Sequence, residues 1–163
     1  MKIIDGKMIS NLIKQEIKSE VDQIIKNGER VPHLAAVLVG NDGASLTYVG
    51  SKVRSCEQVG FDSTLVKLPD DISQNDLLLK IEDLNNDDKI DGFIVQLPLP
   101  KHIDEDKVLM AVNPNKDVDG FHPTNFGKMA LNMETFIPAT PYGIIELLKR
   151  YNINISGKNT VVI

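Results

Sequence analysis

The chain has 163 residues, of which 42% are hydrophobic and 25% are charged, and its formal net charge is −5. This length is enough for one well-buried domain, or for one domain and a fragment of a second. The negative charge without any basic run argues against nucleic-acid and membrane-surface partners. The single Cys56 excludes an internal disulfide and a cysteine-based zinc site, and no apolar stretch approaches membrane-spanning length. We therefore expect a globular protein of the cytoplasm.

The first hundred residues alternate between helical and strand patterns. Apolar spacing and capping residues predict three helices, over 8–25, 44–59 and 73–84. Apolar runs between them predict three strands, at 34–39, 65–68 and 93–95. Alternation of this kind implies parallel pairing with right-handed crossovers, so we expect an α/β fold: a three-layer α/β/α domain with a mostly parallel sheet.

The remainder of the chain has fewer signals. A short helix is predicted over 105–112, whereas 113–138 is polar and aperiodic and is predicted to be a long functional or disordered loop. Thr140-Pro141 predicts a helix start, with the hydroxyl as N-cap and proline at the first helical position, and the helix should run to about residue 151. Residues 158–163 have the pattern of a buried strand that is just beginning.

The most informative stretch runs from Asp91 to Pro100. Its apolar run ends at a polar amide, Gln96, and Pro98 and Pro100 then prevent the strand from continuing. Ligands of open α/β sheets bind just beyond the carboxyl ends of the strands. The sequence therefore predicts that Gln96 lies at the functional site.

Tyr48 and Lys52 are four residues apart on the second predicted helix, on the flank of a predicted apolar stripe that also borders Ser45. The stripe itself is predicted to contain four residues, Leu46, Val49, Val53 and Cys56. A lysine beside such a stripe is partly desolvated, which favours its neutral form and suits a general base. The commoner alternative is a lysine that only extends its stem along the apolar surface. Tyr-x-x-x-Lys also occurs in short-chain dehydrogenases, but their amino-terminal glycine-rich nucleotide loop is not found here.

The segment around Asp117 and Asp119 invites comparison with a calcium-binding loop. An EF-hand requires glutamate at the twelfth position, which here is Phe126, so the comparison fails and turn formation is the alternative role for these aspartates. The three histidines lack ligand spacing. We therefore expect no metal site.

Four motifs occur together in one order and spacing, and the second and third are highly specific. They are Tyr48-Val49-Gly50-Ser51-Lys52, the run from Asp91 to Pro100, the run from Lys116 to Pro123, and Pro138-Ala139-Thr140-Pro141-Tyr142-Gly143. Together they resemble the bifunctional methylenetetrahydrofolate dehydrogenase/methenyltetrahydrofolate cyclohydrolase family, the FolD proteins. The resemblance covers essentially the whole chain.

The resemblance implies roles for matching positions. Lys52 resembles the catalytic lysine beside the one-carbon bridge of the folate, and Gln96 resembles the amide that hydrogen-bonds near it. Tyr48 resembles the ring that packs along the pterin and p-aminobenzoate portion. Asp119 resembles the carboxylate that binds the pterin amino and ring nitrogens. The catalytic set implied is Lys52, Gln96 and Tyr48. The substrate-binding set implied is Tyr48, Lys52, Gln96, Leu97, Pro98 and Asp119.

The resemblance further implies oxidation of 5,10-methylenetetrahydrofolate with NADP, or with NAD in a minority of members, and hydrolysis of the methenyl product to 10-formyltetrahydrofolate. Family members continue past Ile163 into a complete Rossmann domain that holds the cofactor. The resemblance also implies a homodimer, whose formation in the family depends largely on that domain. We therefore expect a folate-binding catalytic domain over 1–138, and over 139–163 a connecting helix and the first strand of a truncated Rossmann domain. The alternative is that this chain alone binds folate without dehydrogenase turnover.

Overall fold

The computed structural model describes residues 3–161. Within that range the chain forms six helices and three strands. In order they are α1 (Gly6–Lys26), β1 (His33–Val39), α2 (Gly43–Val59), β2 (Asp62–Leu68), α3 (Gln74–Asn86), β3 (Gly92–Val95), α4 (Glu105–Ala111), α5 (Pro123–Ala130) and α6 (Ala139–Arg150). The predicted α/β class is confirmed.

The three strands form one parallel sheet in the order β2-β1-β3. Strand β1 is central, and its last five residues are buried because both of its faces are covered. Ala35, Val37 and Phe93 face a core shared with α3 and α4, whereas Ala36 and Ile94 face α2. Helices therefore cover both faces of the sheet, as the predicted three-layer arrangement requires.

Local chemistry explains where the early helices begin and end. The carboxylates of Asp5 and Asp42 accept hydrogen bonds from backbone amides in the first turns of α1 and α2. Ser73 caps α3 by accepting from the Asp76 backbone amide, as the sequence predicts. Gly60 ends α2 in the left-handed conformation, at φ +86°. The predicted bounds of α1 to α4 are therefore confirmed to within about two residues.

The predicted loop over 113–138 is wrong in one respect, because it contains α5. This eight-residue helix has Pro123 at its start and the His122 ring as its N-cap, where Nδ1 accepts from the Thr124 backbone amide. Its one fully buried residue is the polar Asn125. The apolar periodicity that reveals other helices is therefore missing from its sequence.

Two finer predictions are also corrected. Helix α6 begins at Ala139 with Pro138 as its N-cap and without a side-chain capping bond, so Thr140 does not cap it. On α2 the buried residues are Ser45, Val49, Cys56 and Val59, whereas Leu46 is 38% exposed. The stripe is thus rotated from the predicted one, and Lys52, three residues after Val49 and four before Cys56, falls within it.

The strand predicted over 158–163 lies partly beyond the described residues. Residues 158–161 have no regular secondary structure, and 162 and 163 are outside the described range. The division of the chain at 138/139 stays a prediction.

Candidate functional site

A cavity of about 390 Å³ lies beyond the carboxyl end of β3. Four parts of the chain line it: α2, the end of β3, the turn after Val118 and the start of α6. The lining residues are Tyr48, Lys52, Val95, Gln96, Leu97, Asp119, Phe121, Pro138, Ala139, Thr140 and Pro141. This is the position where open parallel sheets bind ligands.

Lys52 and Asp119 meet in this cavity. The Lys52 ammonium Nζ is 3.7 Å from Asp119 Oδ2, and the two side chains are 33% and 20% exposed. Burial raises the pKa of the Asp119 carboxyl above its usual value, the Lys52 charge opposes that rise, and the Asp117 charge adds to it. The ionised form of the partly buried Asp119 carboxyl is therefore favoured by its neighbour Lys52.

Gln96 contributes an unpaired acceptor. Its backbone amide donates to Val37 O at 2.9 Å, so the residue continues the ladder one step beyond β3. Its side-chain Nε2 donates to Leu97 O at 2.7 Å, which fixes the orientation of the amide because a carbonyl needs a donor. Within residues 3–161, the buried Gln96 Oε1 has no hydrogen-bond partner. An acceptor of this kind costs about 1–3 kcal/mol unless a donor reaches it.

The turn that carries Asp119 is attached to the sheet. The Phe93 backbone amide donates to Lys116 O at 2.9 Å, and Asp117 forms an isolated parallel bridge with Phe93. Lys116 Nζ donates to Leu84 O at 3.0 Å and to Asp87 O at 2.7 Å, so it also caps the carboxyl end of α3. The backbone just before Asp119 is therefore anchored on two sides.

Five of the six predicted substrate-binding residues line the cavity. They are Tyr48, Lys52, Gln96, Leu97 and Asp119. Tyr48 is 65% exposed and lies at the rim. Pro98 is exposed and is not among the lining residues, so its role stays a prediction. Their roles toward a substrate likewise stay predictions.

Several lining residues lie within the four motifs but have no predicted role at the site, among them Phe121 and the segment from Pro138 to Pro141. The sequence signal was present in part, because the last of the four motifs begins at Pro138. The sequence predicts only a helix start for Thr140 and Pro141, a local role that says nothing of their place at the cavity. Their position depends on how α6 folds back on the domain.

A larger, mainly apolar cavity of about 1080 Å³ lies between α1, α2 and α6. Lys52 borders it, but Gln96 and Asp119 do not line it. Binding sites combine apolar walls with a few convergent polar groups. We therefore assign the candidate site to the smaller cavity, where three such groups meet.

Neither a metal cluster nor a membrane span is found among residues 3–161. No group of three or more His, Cys, Asp or Glu side chains in this range is placed to hold a metal ion. None of the helices in the described range is long and apolar enough to cross a bilayer.

The fold and the cavity together define an α/β domain with a lysine, a carboxylate and an amide converging at the end of a parallel sheet. Residues 4–119 match the family described as tetrahydrofolate dehydrogenase/cyclohydrolase, catalytic domain. The match covers most of the chain, and the chain belongs to this family.

Individual relatives agree with this assignment. Bifunctional protein FolD of Flavobacterium johnsoniae is 68% identical over 163 residues, covering 100% of this chain and 55% of the relative. The crystal structure of the FolD enzyme from Campylobacter jejuni has a TM-score of 0.93 at 45% identity, over 97% of this chain and 56% of that one. A Trypanosoma brucei FolD, complexed with NADP cofactor and inhibitor, has a TM-score of 0.91 at 31% identity, over 96% of this chain and 54% of that one. The chain thus spans little more than half the length of these relatives.

Proposed function

We propose that this chain provides the folate-binding site of an enzyme of one-carbon metabolism. The enzyme oxidises 5,10-methylenetetrahydrofolate to 5,10-methenyltetrahydrofolate with NADP and hydrolyses that product to 10-formyltetrahydrofolate. The observation that carries this proposal is the convergence of Lys52, Asp119 and the unpaired Gln96 Oε1 on one cavity. Family membership supports the same substrate class.

Binding of the folate uses the polar groups at the inner end of the cavity. Asp119 accepts hydrogen bonds from the pterin amino group and a ring nitrogen, a two-pronged contact that suits a carboxylate. Tyr48, at the rim, packs its ring along the pterin and p-aminobenzoate portion. Leu97 and Pro98 supply apolar surface at the end of β3.

Hydrolysis adds water to the bridge carbon of the methenyl compound. The water oxygen bonds to that carbon and gives up one proton to the base, and the remaining hydroxyl proton passes to N5 as the carbon–N5 bond breaks, which leaves the formyl group on N10. Lys52 acts as the base that takes a proton from the water, because its amine lies at the cavity opposite Asp119. When the folate is bound, Gln96 Oε1, which has no partner among residues 3–161, accepts a hydrogen bond from the Lys52 amine and so orients it.

The residues that line this cavity do not fit a dinucleotide. Phosphates are held by helix amino termini in glycine-rich loops or by free basic side chains. Lys52 is the one basic side chain among the described residues that line the cavity, and it already faces Asp119. We therefore propose no NADP contact for the residues of this cavity. This observation favours a second candidate function, folate binding by this chain without dehydrogenase turnover.

Two further properties follow only from the family resemblance. We propose that the whole protein is cytoplasmic and forms a homodimer. Sedimentation equilibrium of the whole protein tests the second property, because a monomer at micromolar concentration would contradict it.

The test of the proposed function replaces Lys52 by methionine, which keeps the length of the stem and removes the amine. Hydrolysis of methenyltetrahydrofolate by the whole protein should fall by about 10²–10⁴-fold, the contribution of a positioned acid or base. Lys80→Met is the matched control, because Lys80 also pairs with one aspartate, Asp83, at 3.0 Å but lies away from the cavity. Near-normal hydrolysis by the Lys52 variant would remove Lys52 from the mechanism.

Folate binding and NADP reduction, measured on the 163-residue chain, separate the two candidate functions. The 163-residue chain should bind a folate without reducing NADP in the presence of methylenetetrahydrofolate. Asp119→Ala should weaken the binding by about 1–3 kcal/mol, since buried donors of the ligand lose their acceptor. A robust rate of NADP reduction by this chain would reject the second candidate.

A further inference from the structure

Buried polar side chains cluster behind the turn that carries Asp119. Within residues 3–161 the buried polar or charged residues are Ser45, Asp117, His122 and Asn125, and the last three are neighbours. Asn125 is 2% exposed and Asp117 is 5% exposed. Burying such groups is unfavourable unless their hydrogen bonds are made, so the cluster needs an explanation.

Asn125 makes the hydrogen bonds that hold this cluster together. Its Nδ2 donates to Pro114 O at 2.8 Å and to Asp117 Oδ2 at 2.9 Å. Its Oδ1 accepts from Thr135 Oγ1 at 2.9 Å. Asp117 Oδ2 also accepts from the His122 backbone amide at 2.8 Å. One amide side chain therefore ties together the segments before the turn, after it and leading into α6.

The network fixes the turn between its two anchored ends. Asp117 precedes Asp119 by two residues and is directed into the network, whereas Asp119 is directed at Lys52. The Gly120 backbone amide donates to Asp117 O at 3.3 Å and closes the turn. Any movement of Asp117 is therefore passed to Asp119 through two peptide units.

We propose that Asn125 is a positioning residue, which holds the Asp117 carboxylate so that Asp119 stays in the cavity opposite Lys52. The consequence for substrate rests on the proposed function, in which Asp119 binds the pterin. Asn125 itself does not line the cavity. Its effect on the ligand is indirect, and the experiment must separate it from a general loss of stability.

Asn85 offers a matched control. It is a partly buried asparagine that joins two segments, since its Nδ2 donates to Ala111 O at 2.7 Å and its Oδ1 accepts from the Asn113 backbone amide at 2.8 Å. Neither of these hydrogen bonds of Asn85 reaches residues 117–120, which form the turn that carries Asp119. Replacing either asparagine by alanine removes the same chemical group and comparable hydrogen bonds.

The first measurement is the binding of 5,10-methenyltetrahydrofolate to the whole protein. Asn125→Ala should weaken binding by about tenfold or more, the scale on which a displaced binding group acts. Asn85→Ala should change it by less than about twofold, although both variants lose stability toward urea. Equal effects of the two variants on binding would overturn the proposal. If Asn125→Ala does not fold, Thr135→Val replaces it, with a smaller loss expected and the same comparison.

The second measurement needs no ligand. Titration of the Asp119 carboxyl by NMR should show a raised pKa in the unaltered protein, because the group is buried. Asn125→Ala should lower that pKa toward the ordinary value as water reaches the turn, whereas Asn85→Ala should leave it unchanged. An unaltered titration in Asn125→Ala refutes the positioning role. If the titration responds but no variant or parent binds folate, the proposed function fails and the positioning role stands.

A conservative variant distinguishes geometry from charge. Asp117→Asn keeps an acceptor for the Asn125 amide and the His122 backbone amide while it removes the negative charge. Binding within about threefold of the parent, which corresponds to ~0.7 kcal/mol, is expected because the acceptor is kept. A loss as large as that of Asn125→Ala would assign the effect to charge and contradict the proposal.

Discussion

Gly120 offers the sharpest test of how the turn beside the cavity is built. Its φ is +70°, and a Cβ added there would stand 2.8 Å from Ile137 C and Pro138 N and 3.0 Å from Phe136 O. All three are backbone atoms, so rotation of a side chain does not relieve the clash. The left-handed conformation costs a non-glycine residue roughly 1–2 kcal/mol, and overpacking costs about 1–3 kcal/mol. Gly120→Ala should therefore destabilise the protein by about 2–5 kcal/mol.

Gly28 separates the two contributions. Its φ is +74°, but nothing lies within 4 Å of an added Cβ, so Gly28→Ala should cost only the conformational part, roughly 1–2 kcal/mol. Urea unfolding of both variants gives the difference as a change in midpoint at constant slope. Folate binding should fall in Gly120→Ala and not in Gly28→Ala, because the clash displaces Asp119. Equal losses of stability in the two variants would show that a Cβ at Gly120 does not clash with the backbone before α6.

Three further outcomes are expected. Because burial raises its pKa, Asp119 holds its proton more tightly in the folded than in the unfolded state, so stability falls as pH rises from 3.8 through the folded pKa. Asp119→Asn should therefore be more stable than the parent at pH 7 in urea unfolding, with the advantage vanishing below pH 3.8, and a less stable variant would contradict this sign. Leu77→Ala, at a fully buried position of α3, should lower the free energy of unfolding by about 2–5 kcal/mol in the same assay. A loss under about 1 kcal/mol would show that neighbouring side chains fill the space that the leucine leaves. Arg150→Met removes bonds of 2.6 and 2.7 Å to Glu16, so amide exchange should accelerate in α6 but not in β1, and unchanged exchange in α6 would show that the pair does not hold it.

The framework of the fold could be predicted because local signals agree with it. Helix α1 has apolar residues at regular spacing and a stop at its end, and β3 is a short apolar run closed by prolines. Helix α5 could not be predicted in this way, because the residue it buries is Asn125, whose partners lie 8 to 11 residues away. The rotation of the stripe on α2 could not be predicted either, because Ser45 is buried and Leu46 is exposed, which is the opposite of what hydropathy favours.

The residues of the candidate site could likewise be predicted only where a local sequence pattern places them. The sequence predicts Gln96 from the end of β3 and predicts that Tyr48 and Lys52 are neighbours from their helical spacing. Both predictions are possible because strand ends and helix faces follow from local sequence. Asp119 entered through family resemblance, since its alternative role in a turn was chemically sufficient. Its distance from Lys52 depends on a turn 67 residues later in the chain, which no local pattern encodes.

Three departures from what folding alone favours meet in one cavity. Lys52 occupies a place within the buried stripe of α2 where an apolar residue would pack better. The Asp119 carboxyl is buried at the expense of its ionised form, and Gln96 Oε1 is buried without a partner among residues 3–161. Each lowers the stability of the fold. A ligand with hydrogen-bond donors and a proton to exchange would offset each of these costs. Natural sequences depart from local rules chiefly at functional sites, and these departures share one site because α2, β3 and the turn before α5 converge there.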